Sequence, residues 1–209
     1  MGKTWTNAAG EAVQTPLNQV ANAALVHDYA AEKKLVYIHD VTFDADGQPI
    51  ILYLLSTDHR PGPQDPPRIW HTARWRPATK SWDIHPVTSS THNYDVGSIY
   101  IERDGTWRII GPTEPGPQKW GTGGEIAMWT SADEGKTWKM LKQLTKNSPR
   151  NHAYARRPVN AHDDFYAFWA DGNADEFSES ALYFCTKAGD VFQLPAQMDG
   201  LAAKPKRQE

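Results

Sequence analysis

With 209 residues, 23.5 kDa and 39% hydrophobic content, the chain can form one large or two small domains around a buried core, which excludes a disordered tail. Its 22 basic and 25 acidic side chains give a formal charge of -3. That balance supplies no broad positive surface for a nucleic-acid backbone or an anionic membrane, so neither partner is expected. The single cysteine, Cys185, has no internal disulfide partner, and no Cys/His cluster has zinc-site spacing, so no metal or cofactor is expected. No apolar run approaches the roughly 20 residues that cross a bilayer. The first six residues lack the charged-then-apolar layout of a secretory signal, so any export signal is expected to have been removed or to belong to a longer parent. Nine Trp, eight Tyr, 15 Gly and 15 Pro favour pleated sheets and turns over helices.

In chain order, Gly2-Lys3-Thr4-Trp5 looks like the back half of a strand-linking turn, which would start the chain at the last strand of an incomplete unit. Residues 7–32 show no period, and the Ala-rich stretch 20–31 is compatible with a short helix or an irregular connection. From there the chain repeats. Leu35 to Phe43, the turn Asp44-Ala45-Asp46-Gly47 and Pro49 to Leu55 predict a hairpin, followed by strands over Ile69 to Trp75 and from Trp82. A second unit predicts strands over Gly97 to Ile101, Trp107 to Ile110 around Arg103-Asp104-Gly105, Glu125 to Thr130, and from Trp138. A third predicts Arg157 to Val159, Phe165 to Trp169 after His162-Asp163-Asp164, Ala181 to Cys185, and from Val191. The fourth-strand starts are 56 and 53 residues apart, a period that with four strands is the signature of a β-propeller blade. The expected fold is therefore all-β: about three four-stranded antiparallel blades (33–90, 91–147, 148–195) plus one extra strand. Residues 1–32 would be a truncated blade and connection, and 196–209 a frayed tail. Three blades do not close a ring, so a longer parent and self-association through open blade edges are expected.

The turn Ser131-Ala132-Asp133-Glu134-Gly135-Lys136-Thr137-Trp138 fits S-x-D-x-G-x-T-W at all five fixed positions. An Asp carboxylate can accept backbone N–H groups inside such a turn, Gly can adopt positive φ, and Trp can pack against the sheet. The turn resembles the Asp-box, or BNR repeat, of sialidase-like propellers, and Thr79-Lys80-Ser81-Trp82 resembles a degraded copy.

Strand alternation assigns every loop to an end. If the Asp-box turn marks one end, the loops joining second to third strands and those leading into first strands share the other. These carry His92, Tyr94, His152, Tyr154 and Arg156 as candidate catalytic residues. His59, Arg60, Arg68, His71, Lys119, Trp120, Glu125 and Arg157 are candidate substrate contacts. Arg can pair a uronate carboxylate and acidify its C5 proton, while His or Tyr removes that proton or protonates the leaving oxygen, which is β-elimination. Hydrolysis would use paired carboxylates, for which Glu114, Glu125, Asp171 and Glu176 are available. Asp44-Ala45-Asp46-Gly47 lacks the remaining ligands of a calcium loop, and Gly121-Thr122-Gly123-Gly124 lacks the Lys and helix of a nucleotide loop.

Longer strings extend the resemblance: His92-Asn93-Tyr94-Asp95-Val96-Gly97-Ser98, Gly123-Gly124-Glu125-Ile126-Ala127-Met128-Trp129, Arg156-Arg157-Pro158-Val159-Asn160, the segment from Phe165 to Gly172, and Ser178-Glu179-Ser180. Over most of residues 25 to 195 the chain resembles the C-terminal part of the BNR-4 propeller family. That resemblance implies a seven-bladed parent and secreted or periplasmic carbohydrate chemistry. It also implies a polysaccharide or oligosaccharide partner containing uronic acid, cleaved by elimination or only bound. A sialidase-like hydrolase fragment is the other reading, although the arginine triad that sialidases need is not apparent.

Overall fold

The structure is a computed structural model that describes residues 4–60, 62–63 and 68–208. Its described residues contain strands and irregular segments, without a helix. Strands β1 (Leu35–Phe43), β2 (Pro49–Ser56), β3 (Arg68–Arg76) and β4 (Ser81–Ser90) form sheet 1. Strands β5 (Ser98–Ile101), β6 (Trp107–Glu114), β7 (Glu125–Ser131) and β8 (Lys139–Gln143) form sheet 2. Sheet 3 holds β9 (Asn151–Arg156), β10 (Ala167–Gly172), β11 (Leu182–Cys185), β12 (Val191–Gln193) and β13 (Lys206–Arg207). Every pair is antiparallel and joins neighbours in sequence.

Burial explains the sequence of each strand. The second strand of sheet 1, Pro-Ile-Ile-Leu-Tyr-Leu-Leu-Ser, is a nearly continuous apolar run because both of its faces are covered. By contrast, β8 is Lys-Met-Leu-Lys-Gln and exposed throughout, an outer edge whose lysines discourage further pairing. Between sheets 1 and 2 lie Ile50, Leu52, Leu54, Trp70, Ile99, Trp107 and Ile109. Between sheets 2 and 3 lie Tyr100, Ile110, Ile126, Met128, Trp169, Tyr183 and Cys185. Each fully buried Leu or Ile contributes about 1.5–3 kcal/mol of burial free energy, so these layers fix the order of the sheets.

The first strands of the sheets approach one inner line. Asp40 of β1 accepts the Ile99 N–H of β5 at 3.0 Å. Ser98 beside it donates to the Ala155 carbonyl of β9 at 2.7 Å. Arg156 of β9 returns to the His39 carbonyl of β1 at 3.2 Å. At the hairpin end, the Ser131–Trp138 turn closes as its sequence predicts. Asp133 Oδ1 accepts the Ser131 hydroxyl at 2.7 Å and the Thr137 N–H at 2.9 Å, and its Oδ2 accepts the Thr137 hydroxyl at 2.6 Å. Those bonds hold the Asp133 carboxyl well below the usual carboxylate range. Glu134 then ties the turn to sheet 1 through Arg74 at 2.6 Å and Arg76 at 2.7 Å.

Three expectations are corrected. No extra strand precedes sheet 1 among the described residues: Thr6 makes only an isolated bridge to Ala12, 20–31 is irregular, and Gly2 and Lys3 lie outside the described residues. The fifth strand of sheet 3 comes instead from the tail expected to fray. Lys206 and Arg207 pair with Gln193 and Phe192, and Arg207 meets Asp190 at 2.6 Å. Finally, the first strand of the third unit is Asn151–Arg156 rather than Arg157 to Val159. Pro158 has no N–H to donate to a ladder, and residues 157–166 form the connection.

Candidate functional site

Residues 57–60 and 62–63 and the loops 91–97, 115–124, 144–150 and 173–181 share the end opposite the Ser131–Trp138 turn. The first three interlock around one cation. Arg68 is 1% exposed, and its guanidinium donates to the Asn93 side-chain carbonyl at 2.7 Å, the Gly62 carbonyl at 2.7 Å and the Arg60 carbonyl at 2.6 Å. Asn93 uses its amide N–H to hold the Asp58 carbonyl at 3.0 Å and the Tyr37 hydroxyl at 3.3 Å. The buried arginine therefore holds the backbone at Arg60 and Gly62 and offers no open fork to a ligand.

On top of this layer lies Trp120. Gly62 has φ +87, and a Cβ there would lie 2.0 Å from the indole Cε3, so only glycine lets the ring rest on the loop. Trp120 stays 47% exposed, with the Lys119 ammonium 5.0 Å from its ring centroid. Beside it, Arg60 is paired to Asp58 at 2.8 Å, and that pairing pulls the Asp58 carboxyl down to about 2. His59 is largely exposed, 3.4 Å from the same carboxylate.

His92 belongs to the same corner but is buried, and both ring nitrogens are engaged. Nε2–H donates to the Trp120 carbonyl at 3.2 Å and Nδ1 accepts the Thr122 hydroxyl at 3.0 Å, an assignment made from the hydrogen-bond network. Burial lowers its pKa, so the neutral imidazole bridges loops 91–97 and 115–124. Asp95 makes a parallel link, accepting the His92 N–H and the Gly123 N–H, each at 2.9 Å. Its complete burial pushes the carboxyl up to about 7 against those bonds. Tyr94 is half exposed, 6.5 Å from His92 and edge-on to Tyr37 at 5.2 Å between centroids. Next to this corner is a cleft of ≈ 410 Å³ lined by Pro63, Thr88, Ser89, Thr91, Thr113 and Glu114.

The remaining candidates are spread along sheets 2 and 3. His152 is buried, accepts the Trp169 indole N–H at 2.9 Å and donates to Ser148 at 3.0 Å. Ser148 donates in turn to Glu125 at 2.8 Å, whose carboxylate also accepts Thr145 at 2.6 Å. Backbone bonds between His152 and Gly124 join this pair to the Trp120 loop. Tyr154 occupies the bulge of β9 with φ +58, half exposed. Arg156 lies at the far end of β9. Arg157 is beyond it, bonded to Thr42 at 3.1 Å over the Tyr100 ring, in a ≈ 460 Å³ cleft at the hairpin end. His71 is mid-strand in β3, stacked on Tyr53 and donating to the Ile69 carbonyl at 3.0 Å. Thus His59, Arg60, Arg68, His92, Tyr94, Lys119 and Trp120 come together, with His152 and Glu125 adjoining. Tyr154, Arg156, Arg157 and His71 make no hydrogen bond or ring contact with that corner among the described residues.

Sequence reasoning missed the residues that hold these loops. Asn151 donates to the carbonyls of Gln118, Gly121 and Thr122 at 2.8, 3.2 and 3.2 Å, while the Gln118 side chain accepts the Asn151 N–H at 2.7 Å. Amide side chains that donate and accept at once suit this task, and their density in the loops was the available signal. No group of three or more His, Cys, Asp and Glu suited to a metal occurs among the described residues. In comparisons with known proteins, no family model matches this chain, and no curated protein matches it.

Proposed function

We propose that the three sheets are consecutive blades of a β-propeller and that their loop end binds an acidic, uronic-acid-containing glycan. The observation that carries this reading is the exposed Trp120 face, held flat on Gly62 with Lys119 beside it. Such a ring stacks on the apolar face of a sugar while the ammonium pairs with its carboxylate. The hydroxyl-lined cleft with Glu114 accommodates neighbouring sugar hydroxyls. Sequential stacking of four-stranded meanders around a common inner line supports the propeller reading. The test is calorimetric titration with uronate oligosaccharides and with their carboxyl-reduced counterparts. Trp120→Ala should weaken uronate binding at least about 10-fold, equivalent to ~1.4 kcal/mol, while His71→Ala leaves it unchanged. Equal affinity for charged and reduced oligosaccharides would refute the acidic specificity.

A second reading, cleavage by β-elimination, draws on the exposed Tyr94 phenol. His92 and His152 use both ring nitrogens to hold loops, so the exposed Tyr94 phenol, rather than either buried imidazole, is positioned to exchange a proton with bound sugar. In that step the C5 proton leaves, its electron pair forms the C4=C5 bond, the C4–O bond breaks, and the departing oxygen is protonated. An ultraviolet-absorbing unsaturated uronide, lost in Tyr94→Phe, would support it. Binding without that product would leave a glycan-binding protein.

A further inference from the structure

The cleft beside the Trp120 corner differs from that corner in charge. Trp120 has the Lys119 ammonium over its ring, whereas the cleft wall of Thr88, Ser89, Thr91 and Glu114 offers neutral hydroxyls and one carboxylate. Consecutive residues join the two, since Gly62 underlies the indole and Pro63 lines the cleft. The basic side chain in the described walls, Arg68, is 1% exposed and donates through Nε, Nη1 and Nη2 to acceptors of its own chain.

Glu114 is only partly buried. Its Oε1 accepts the Thr113 hydroxyl at 3.2 Å, while among the described residues no donor reaches Oε2 and no cation pairs with the carboxylate. Directly opposite it in the β6–β7 ladder stands Glu125. Glu125 is buried and accepts only neutral donors, from Thr145 and Ser148, so Glu114 is the member of the pair that meets a ligand. Like charges set opposite one another weaken a sheet, and neither carboxylate here is offset by a basic partner among the described residues. The hydroxyls of Thr88, Ser89 and Thr91 make no hydrogen bond among the described residues either.

We propose that Glu114 determines specificity by excluding a second anionic group beside the uronate held at Trp120, an assignment that rests on the glycan-binding reading. The site then takes glycans whose uronates stand next to uncharged sugars and rejects contiguous polyuronates. A carboxylate brought into the cleft meets the unpaired Glu114 carboxylate and finds no open basic fork in the described walls. A sugar bearing hydroxyls alone donates to Glu114 Oε2 and exchanges hydrogen bonds with the threonine and serine hydroxyls. Discrimination of this kind uses a repulsive element against the wrong ligand together with contacts to the right one.

Calorimetric titration tests it with two uronate tetrasaccharides, one in which uronate alternates with a neutral sugar and one built of uronate alone. The proteins are the wild type, Glu114→Gln and Trp120→Ala, each shown to be folded by circular dichroism and a thermal melt. The wild type should bind the alternating ligand at least about 10-fold more tightly, or ~1.4 kcal/mol. Glu114→Gln keeps the side chain's shape and removes its charge. It should raise affinity for the all-uronate ligand about 10-fold and lower that for the alternating one, because a neutral amide is the weaker acceptor. The wild-type preference should also shrink at 1 M salt, where the Debye length falls to about 3 Å, which a purely structural role would not produce. A Glu114→Gln variant that moves both affinities in the same direction, or leaves the preference unchanged, overturns the inference. In that case a loss of alternating-ligand binding in Trp120→Ala shows that the glycan-binding reading still stands. A wild type that binds neither ligand overturns both.

Discussion

Arg68 is the side chain on which the loop end most depends, and replacing it by methionine measures that dependence. Methionine preserves most of the buried volume but removes three charge-assisted bonds of 2.6 to 2.7 Å, leaving the acceptors of Asn93, Gly62 and Arg60 without their donor. Hydrogen bonds to a charged group contribute about 1.5–3 kcal/mol each, though the three are not additive. Burying the cation offsets part of that sum, since its acceptors are neutral and its desolvation is costly. The expected net loss is about 3–5 kcal/mol, or roughly 6–20 °C in Tm at the ~2–4 °C per kcal/mol of a chain this size. Arg68→Lys keeps the charge but presents a point donor instead of a fork, so its loss should be intermediate. Urea unfolding gives the free energy, and titration with uronate oligosaccharide reports whether Trp120 remains seated on Gly62. A loss below about 1 kcal/mol for Arg68→Met would refute the role assigned to the guanidinium.

Gly135→Ala should destabilise by about 2–5 kcal/mol. Its φ of +81 disfavours any Cβ, and that atom would lie 2.7 Å from Cζ3 of the buried Trp107; a calorimetric loss under about 1 kcal/mol refutes this. Asp95 sets a pH dependence: its carboxyl is raised from 3.8 to about 7 in the fold, so the native state holds the proton longer. That contribution is complete below about pH 4 and is lost as pH rises to about 7. Buried histidines such as His39, lowered from 6.5 to about 3, act in the opposite direction, so the quantity to measure is the stability difference between wild type and Asp95→Asn. It should shift against the wild type from pH 4 to 7, and a pH-independent difference refutes it. Cys185 is fully buried, and burial pushes its thiol up to about 12, so maleimide should label it only on unfolding; rapid labelling of the native protein contradicts this.

The strand framework was legible because local signals agreed with tertiary pairing. Asp-Gly turns between apolar runs mark the first two hairpins, and the Ser131–Trp138 spacing encodes its own hydrogen bonds. Legibility failed where pairing alone creates the strand. Asn-His-Ala-Tyr-Ala-Arg has little apolar alternation, yet it is β9 because β10 supplies its ladder, with a bulge at Tyr154. Pro158 and Val159 looked strand-like by composition but lie in a connection, with Val159 exposed. The two-residue β13 has no pattern of its own and is held by β12 and the Arg207–Asp190 pair.

At the loop end, residue type was legible and exposure was not. Histidines in polar loops suggest accessible bases, but His92 and His152 are drawn inward because neighbouring loops fold over them and offer Trp120, Thr122, Trp169 and Ser148 as partners. Arg68 and Glu125 follow the same logic, each surrounded by groups that satisfy its charge. A buried polar group without partners is costly, so a loop-rich end must commit many of its polar residues to its own backbone. What remains for a ligand is the layer above that network, where Tyr94, Lys119 and Trp120 present aromatic faces and a cation to solvent. If this end binds a glycan as proposed, recognition would depend on how rigidly the buried polar layer holds these exposed side chains, and replacing Arg68 would then lower glycan affinity more than replacing any exposed arginine.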